Sequence, residues 1–175
     1  MSDAELVRNA RTGDAAAQDE LVRRHIDAAY RVALSLTRDP DVAADVVQDA
    51  FVKAFGSLDG FRGDASLRTW IVAITANEAR GFFRRSQRRK EASLDAATEV
   101  ASVQPDPAER AVTESEAARA RAELEKLPEK QRLSVTLRIE EGMSFREIGS
   151  VVGSSEGAAR VNYFHGIRRL RELME

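Results

Sequence analysis

The chain has 175 residues, a formal net charge of -2 at pH 7 and a hydrophobic content of 43%, which suit one compact domain or two small ones. It contains no cysteine, which excludes disulfides, thiolate metal sites and a thiol nucleophile. No apolar run approaches the roughly 20 residues that span a bilayer, and the first residues lack the features of a signal peptide. We therefore expect a cytoplasmic protein.

Helical periodicity dominates the chain from Ala4 to Arg89. Aromatic residues make up only 6% of the sequence, a composition that favours helix over sheet. Apolar residues at three- and four-residue spacing predict one buried helix face, formed by Leu21, Val22, Ile26, Ala29, Ala33 and Leu36. Asp39 before Pro40 predicts the start of a second helix, and Ser66 the start of a third. We predict an all-α protein whose first helical domain spans residues 1–91.

The helix that begins at Pro40 carries an acidic and polar stripe opposite Phe51 and Phe55. Its members recur at three- and four-residue spacing: Asp41, Asp45, Gln48, Asp49, Val52 and Lys53. Spacing alone favours a solvated helix face. The functional alternative is a docking surface for a basic partner.

A basic stretch follows in the third helix. Arg80, Arg84 and Arg88 are four residues apart and share one face, with aromatic residues between them. This pattern suits a phosphate backbone with unstacked bases, but cations at a helix end also interact favourably with the helix dipole. Asn77 lies at the edge of the predicted buried face, where it either bridges helices or presents hydrogen-bonding groups to an unstacked base.

Helical periodicity fails between residues 92 and 112. Small residues and acids occur there without a period, and Pro105 and Pro107 resist helix. We predict a flexible acidic linker over residues 92–112. A second helical domain follows, over residues 113–175.

The second domain ends in a helix-turn-helix pattern. Ser144 with Glu147 predicts a capping box, Gly153 a left-handed turn, and Ser154 or Ser155 the cap of the last helix. The face of that helix predicted to point inward consists of Val161, Phe164, Ile167, Leu170 and Met174. This order of elements is the one used to read DNA, although a small bundle with a charged, solvated face has the same pattern.

Taken together, these segments resemble the extracytoplasmic-function (ECF) group of bacterial RNA polymerase sigma factors, in the sigma-70 family. That group has only the second and fourth sigma regions, joined by a linker, and the resemblance covers nearly the whole chain in order. Residues 45–55 resemble the helix that docks on the polymerase β′ clamp, and residues 67–77 the segment that recognises and melts the −10 element. Residues 127–132 and 141–149 resemble the fourth region.

The resemblance implies a promoter-specificity factor that binds core polymerase at the β′ clamp and β flap, reads the −35 and −10 elements and supports melting. It implies no catalysis, cofactor, metal or membrane insertion. It also implies an anti-sigma factor, which would hold the protein in solution or near the membrane.

The resemblance assigns residues to three surfaces of this factor. The core-polymerase contacts are Asp45, Gln48, Asp49, Val52 and Lys53. The −10 contacts are Leu67, Arg68, Trp70, Asn77, Arg80, Arg84, Arg85 and Arg88. The −35 contacts are Ser155, Arg160, Asn162, Phe164, His165 and Arg168.

The chain departs from the family pattern at two places. Its last helix starts with Gly157-Ala158-Ala159-Arg160-Val161-Asn162 where the family often has Gly-Thr-Val-Lys-Ser-Arg, and His165 stands where arginine is usual. The −35 preference therefore cannot be transferred from relatives. Gly81 stands where the family often has aspartate, which is expected to loosen the basic helix end.

Two other classes of function remain at this stage. A conventional helix-turn-helix regulator, with an N-terminal dimerisation or sensing domain, would bind duplex DNA as a symmetric dimer without polymerase. It would leave the acidic stripe and the basic stretch without a role. An enzyme is disfavoured because the sequence has no cysteine, no phosphate-binding glycine loop and no metal-ligand cluster, and because His25 and His165 are isolated in different predicted domains.

Overall fold

The computed structural model describes residues 1–93 and 115–175, and these residues are almost entirely helical. Within them a short 3₁₀ helix spans Leu58–Gly60, and there is no strand, so the predicted all-α fold is confirmed. The α-helices are α1 Asp3–Arg11, α2 Ala15–Thr37, α3 Pro40–Gly56, α4 Leu67–Ala92, α5 Glu116–Leu124, α6 Glu129–Ile139, α7 Phe145–Val152 and α8 Glu156–Met174.

Helices α1–α4 form an N-terminal bundle in which α2, α3 and α4 pack against one another and α1 packs on α2. Its fully buried side chains include Leu21, Val32 and Val72. The predicted helix starts are confirmed: the Asp39 carboxylate accepts the amides of Asp41 and Val42 at 2.9 and 3.3 Å. Ser66 caps α4 by accepting the Thr69 amide at 3.1 Å. Each cap satisfies a backbone donor that the first helical turn leaves free.

Helices α5–α8 form a C-terminal bundle in which α8 packs against α5, α6 and α7. Leu133, Leu137, Ile148 and Val151 fill its core. Helix α8 approaches α6 closely because Gly166 has no side chain: a Cβ there would lie 2.7 Å from the Val135 Cγ2. The crossing of α6 and α8 therefore fixes which side of α8 faces inward.

Two predictions of buried faces are wrong in part. Ile26 is 39% exposed and lies beside α3, where the α2–α3 packing leaves an open cleft. Val161 and Phe164 are exposed on α8, although the apolar periodicity placed them inward. The reason is that the small residues Ala159 and Gly166 are the buried ones on α8, and their close packing turns Val161 and Phe164 toward solvent.

The predicted linker, residues 92–112, lies outside the described residues except for Ala92 and Ser93, which end α4. The predicted start of the second domain at residue 113 also lies outside them, and the described part begins where Ser115 caps α5. Among the helices that the structure describes, none combines the length and hydropathy needed to cross a bilayer.

Candidate polymerase and nucleic-acid interfaces

The acidic stripe of α3 is exposed and borders an apolar cleft. Asp45, Gln48, Asp49 and Val52 all face solvent, and Val52 is 69% exposed. A cleft of about 370 Å³ runs between α2 and α3, lined mainly by Val22, Ile26, Val47, Phe51, Val52 and Phe55. An apolar centre with a charged rim is the usual anatomy of a protein–protein interface. The sequence predicted the charges of this surface but not its apolar half, because Ile26 was assigned to the core.

Lys53, the remaining member of the predicted core-binding set, is tied to α4. Its Nζ forms an ion pair with the Glu78 carboxylate, whose side chain is 10% exposed. The pair connects the end of α3 to the middle of α4.

The residues predicted to contact the −10 element lie along α4. Leu67 is buried in the core, Trp70 is half-buried with its ring 5.2 Å from that of Phe61, and Asn77 is exposed. Leu67 is therefore placed to position the start of α4 rather than to touch DNA. Asn77 lies seven residues after Trp70, two helical turns along α4.

The basic end of α4 extends away from the bundle core. Arg84, Arg85 and Arg88 are exposed, and Phe83 is 44% exposed beside Phe82. Helix α4 is continuous through Gly81. The result is a cationic helix end with an exposed aromatic ring.

The helix-turn-helix of α7 and α8 is built by caps and close packing. Ser144 and Glu147 form the predicted capping box, Gly153 adopts φ +70° and Ser155 caps α8 through the Ala158 amide at 3.1 Å. A Cβ on Gly149 would lie 2.9 Å from the Ser154 carbonyl oxygen, so glycine is required where the turn folds back on α7. These contacts fix the angle at which α8 leaves the turn.

The outward side of α8 carries most of the predicted −35 contacts. Ser155, Arg160, Phe164, His165 and Arg168 are exposed, while Asn162 is half-buried. Glu156, whose charge would repel phosphate, lies 3.4 Å from the Arg160 guanidinium and partly neutralises it. The exposed side of α8 therefore combines cations with apolar side chains.

An aromatic and arginine cluster joins α7 to α8. The Phe145 ring lies 5.5 Å from that of Tyr163 and 6.3 Å from that of Phe164. The guanidinium carbons of Arg138 and Arg160 lie 4.7 and 5.2 Å from the Phe145 ring centroid. Cations at this distance from an aromatic ring are attracted to it. The sequence did not single out Phe145, because the contacts of its ring depend on how α6, α7 and α8 pack together.

The two bundles contact each other through a carboxylate of the α6–α7 connection. The side chain of Glu141 is 2% exposed, and its Oε1 accepts a hydrogen bond from the Arg31 Nε at 2.5 Å. Arg68 Nη1 donates to the Glu141 backbone oxygen at 3.0 Å. The hydrogen bond to Glu141 raises the pKa of Arg31, so the guanidinium stays protonated.

Two further contacts join α4 to α7. Thr69 Oγ1 donates to Glu147 Oε1 at 3.0 Å, and Arg80 Nη1 donates to the Val151 carbonyl at 3.2 Å. The Ser144 amide holds the pKa of Glu147 below its ordinary value, and Thr69 acts in the same direction. Two predicted −10 residues, Arg68 and Arg80, are thus engaged by the C-terminal bundle.

The geometry defines a two-part helical protein with one cationic helix in each part. Comparison with family models matches residues 21–89 to Sigma-70 region 2 and residues 117–170 to Sigma-70, region 4. The RNA polymerase sigma-H factor of Pseudomonas aeruginosa is 32% identical over 99% of this chain and 92% of its own length. The ECF RNA polymerase sigma-E factor of Escherichia coli (strain K12) is 32% identical over 100% of this chain and 93% of its own.

Two solved structures have similar folds. The sigma factor RpoE of Bartonella quintana, in complex with the anti-sigma factor NepR, superposes with a TM-score of 0.70 at 24% identity, covering 89% of this chain and 95% of that one. CnrH, in complex with the cytosolic domain of CnrY, gives a TM-score of 0.67 at 29% identity, covering 98% and 96%.

The chain belongs to the sigma-70 family of RNA polymerase sigma factors, in its ECF group. It is a promoter-specificity factor, which binds core RNA polymerase, recognises the −35 and −10 elements and supports melting. This assignment selects the sigma factor over the conventional helix-turn-helix regulator. The N-terminal bundle corresponds to region 2 and the C-terminal bundle to region 4.

Proposed function

We propose that the three exposed faces on α3, α4 and α8 divide the work of initiation among them. The face of α3 binds the β′ clamp of core polymerase, α4 captures the −10 element, and α8 reads the −35 element. The observation that carries this proposal is that the three residue sets lie on three separate helices. Residues 1–91 and 113–175 act as two modules, and the linker of residues 92–112 sets the distance between them.

Polymerase docking rests on the acidic and apolar character of the α3 surface. Asp45 and Asp49 attract a basic partner and orient it, while Val52 and Ile26 supply apolar area that is removed from water on binding. Lys53 has a structural part as well, because its ion pair with Glu78 holds α3 on α4. The C-terminal bundle contacts the β flap.

Melting rests on α4, which combines phosphate binding with base capture. Arg84, Arg85 and Arg88 are free of the bundle core and follow the DNA backbone. Exposed Asn77 and residues 63–68, which form the loop before α4 and the first two residues of that helix, hold an unpaired base of the non-template strand. A captured base cannot re-pair, so its binding free energy stabilises the open strand.

This protein acts by binding and makes or breaks no covalent bond. Its place is the cytoplasm, because both core polymerase and promoter DNA are there. An anti-sigma factor regulates it by covering the α3 surface, in line with the similar structure of RpoE, which was solved in complex with the anti-sigma factor NepR. Because Arg68 and Arg80 contact the C-terminal bundle, promoter binding has to release these contacts.

Run-off transcription with purified core polymerase tests the division of work. Asn77→Ala is expected to reduce open-complex formation about 10-fold or more while changing core affinity less than about 2-fold, since one base contact is worth roughly 1–3 kcal/mol. Asp49→Lys is expected to weaken core binding by about 10-fold, because it places a cation against a basic partner.

The matched control is Asp59→Lys, which makes the same charge change at a side chain that is 93% exposed and lies off α3. Equal effects of Asp49→Lys and Asp59→Lys would show that net charge, not the α3 surface, governs docking. Equal loss of core affinity and melting in Asn77→Ala would remove the base-capture role.

A further inference from the structure

The outward stripe of α8 contains two large apolar side chains that the core does not use. Val161, Phe164, His165 and Arg168 follow a spacing of three, four and seven residues, so they share one side of the helix. Val161 is 53% exposed and Phe164 is 58% exposed. Both lie in the N-terminal half of α8, the part of a recognition helix that meets base edges in a helix-turn-helix.

Phe164 is held in place rather than free to collapse onto the helix. Its ring lies 5.2 Å from that of Tyr163 at an interplanar angle of 72°, and 6.3 Å from that of Phe145. Phe145 also lies under the Arg160 guanidinium, 5.2 Å from its ring centroid. The exposed apolar patch and the neighbouring cation are thus pre-organised by the same ring.

The charges around this apolar patch indicate what kind of molecule binds there. Arg160, His165, Arg168 and Arg169 are exposed beside Val161 and Phe164. A cationic rim suits the phosphates of a DNA duplex. Within the major groove, the C5-methyl group of thymine is the feature that offers an apolar side chain a contact.

We propose that Val161 and Phe164 read thymine methyl groups in the −35 element, and that Phe145 is a positioning residue that holds Phe164 and Arg160 for this contact. The inference rests on the proposed role of α8 and specifies what kind of feature α8 reads. It makes the −35 preference of this chain depend on apolar contacts, including one at Val161, where the family often carries serine.

Uracil substitution tests the proposal, because deoxyuridine lacks only the methyl group. A promoter that the holoenzyme selects from a genomic fragment library is synthesised with deoxyuridine replacing each −35 thymidine in turn, on either strand. Burying one methyl group corresponds to about a 4-fold change in affinity. We expect a loss of about that size at one or two positions with the wild-type holoenzyme.

The variants show whether these side chains cause the discrimination. Val161→Ala and Phe164→Ala are expected to bind thymine and uracil promoters within about 1.5-fold of each other at the affected position. Phe145→Leu keeps an apolar residue on α7 but removes the ring, and is expected to reduce the thymine preference while circular dichroism stays unchanged. Leu173→Ala, at another exposed apolar residue near the end of α8, is the matched control and should keep the full preference.

The possible results separate this inference from the sigma-factor proposal. If the holoenzyme initiates at promoters but uracil changes no position, the methyl contact is overturned and the division of work stands. If Val161→Ala weakens thymine and uracil promoters equally, Val161 contributes to binding without contacting the methyl group, and the inference again fails. If no promoter-specific initiation occurs at all, both proposals fall.

Discussion

Helices α4 and α8, for which we propose contacts with DNA, are engaged differently by the rest of the molecule. On α4, Arg68 and Arg80 donate hydrogen bonds to the C-terminal bundle. In the described residues, the principal contacts of α8 are with other helices of its own bundle, and its outward stripe faces solvent. The proposed −35 surface is therefore accessible in this arrangement, whereas part of the proposed −10 surface is covered.

The largest effect is expected from a glycine substitution in the C-terminal bundle. Together with a matched substitution in the N-terminal bundle, it shows how rigid each bundle is. Gly149→Ala would place a methyl group 2.9 Å from the Ser154 carbonyl oxygen, which is backbone and cannot move alone. We expect it to destabilise the C-terminal bundle by about 3 kcal/mol and to abolish −35 binding. Chemical denaturation of the full chain, with promoter footprinting of the holoenzyme, measures both effects.

The matched substitution in the N-terminal bundle is Gly81→Ala. Its methyl group would lie 3.2 Å from the Arg85 Nη1, the far end of a flexible side chain that can move. It is expected to leave stability unchanged or to raise it by up to about 1 kcal/mol, the helix preference of alanine over glycine. Similar losses from both substitutions would mean that the helix-turn-helix is no more rigid than the basic end of α4.

The next largest effect is expected at the contact between the bundles. Glu141→Gln removes the charge that Arg31 binds at 2.5 Å, and a charged hydrogen bond in such a site contributes about 2 kcal/mol. The two bundles should then separate more readily. We expect a larger radius of gyration by small-angle scattering and tighter binding of single-stranded DNA by the free protein, because Arg68 and Arg80 are released.

Glu140→Gln is the control for this experiment. Glu140 lies next in the chain, 3.4 Å from the same Arg31 Nε, but its side chain is 33% exposed and its interaction is screened by solvent. It should change the radius and the DNA affinity little. An unchanged radius in Glu141→Gln would show that other contacts, such as the Arg132 hydrogen bonds to Ser35, hold the bundles together without this carboxylate.

Sequence alone predicted the elements and the order of the surfaces, because caps and periodicity are local. Asp39 with Pro40, Ser66, the Ser144 capping box and Gly153 all lie where the pattern placed them. Which side of a helix packs inward, by contrast, also depends on the neighbouring helices and not only on the local sequence. On α8 the spacing of Val161 and Phe164 resembled a core face, whereas the packing was decided by Ala159 and Gly166, which approach other helices closely.

The contact between the bundles could not be predicted from the sequence. Arg31 and Glu141 are separated by 110 residues, and neither lies in a motif that indicates a partner. The only signal for Glu141 in the sequence was its place in residues 141–149, the segment that resembles the fourth region. A carboxylate becomes a contact between bundles only through burial, which depends on how the two bundles meet.

The smallest effect is expected from breaking the capping boxes, of which each bundle has one. In α1 the Ser2 amide donates to the Glu5 carboxylate at 2.6 Å, and in α7 the Ser144 amide donates to the Glu147 carboxylate at 2.9 Å. Both hydrogen bonds lower the pKa of the glutamate in the folded protein. The stabilisation is therefore complete above the ordinary glutamate pKa and is lost as the pH falls through the lowered value.

Only one of these boxes also joins the bundles, because Glu147 accepts a hydrogen bond from Thr69 at 3.0 Å. Glu147→Ala removes the acceptor of the Ser144 amide and should cost about 1 kcal/mol at neutral pH, the usual cost of losing a cap, and flatten the acid dependence of stability. Hydrogen exchange should increase both in α7 and at the start of α4. Glu5→Ala breaks the matching box and should increase exchange in α1 alone. If both variants affect only their own helix, the Thr69 contact carries no coupling, and the C-terminal bundle restrains α4 through Arg68 and Arg80 only.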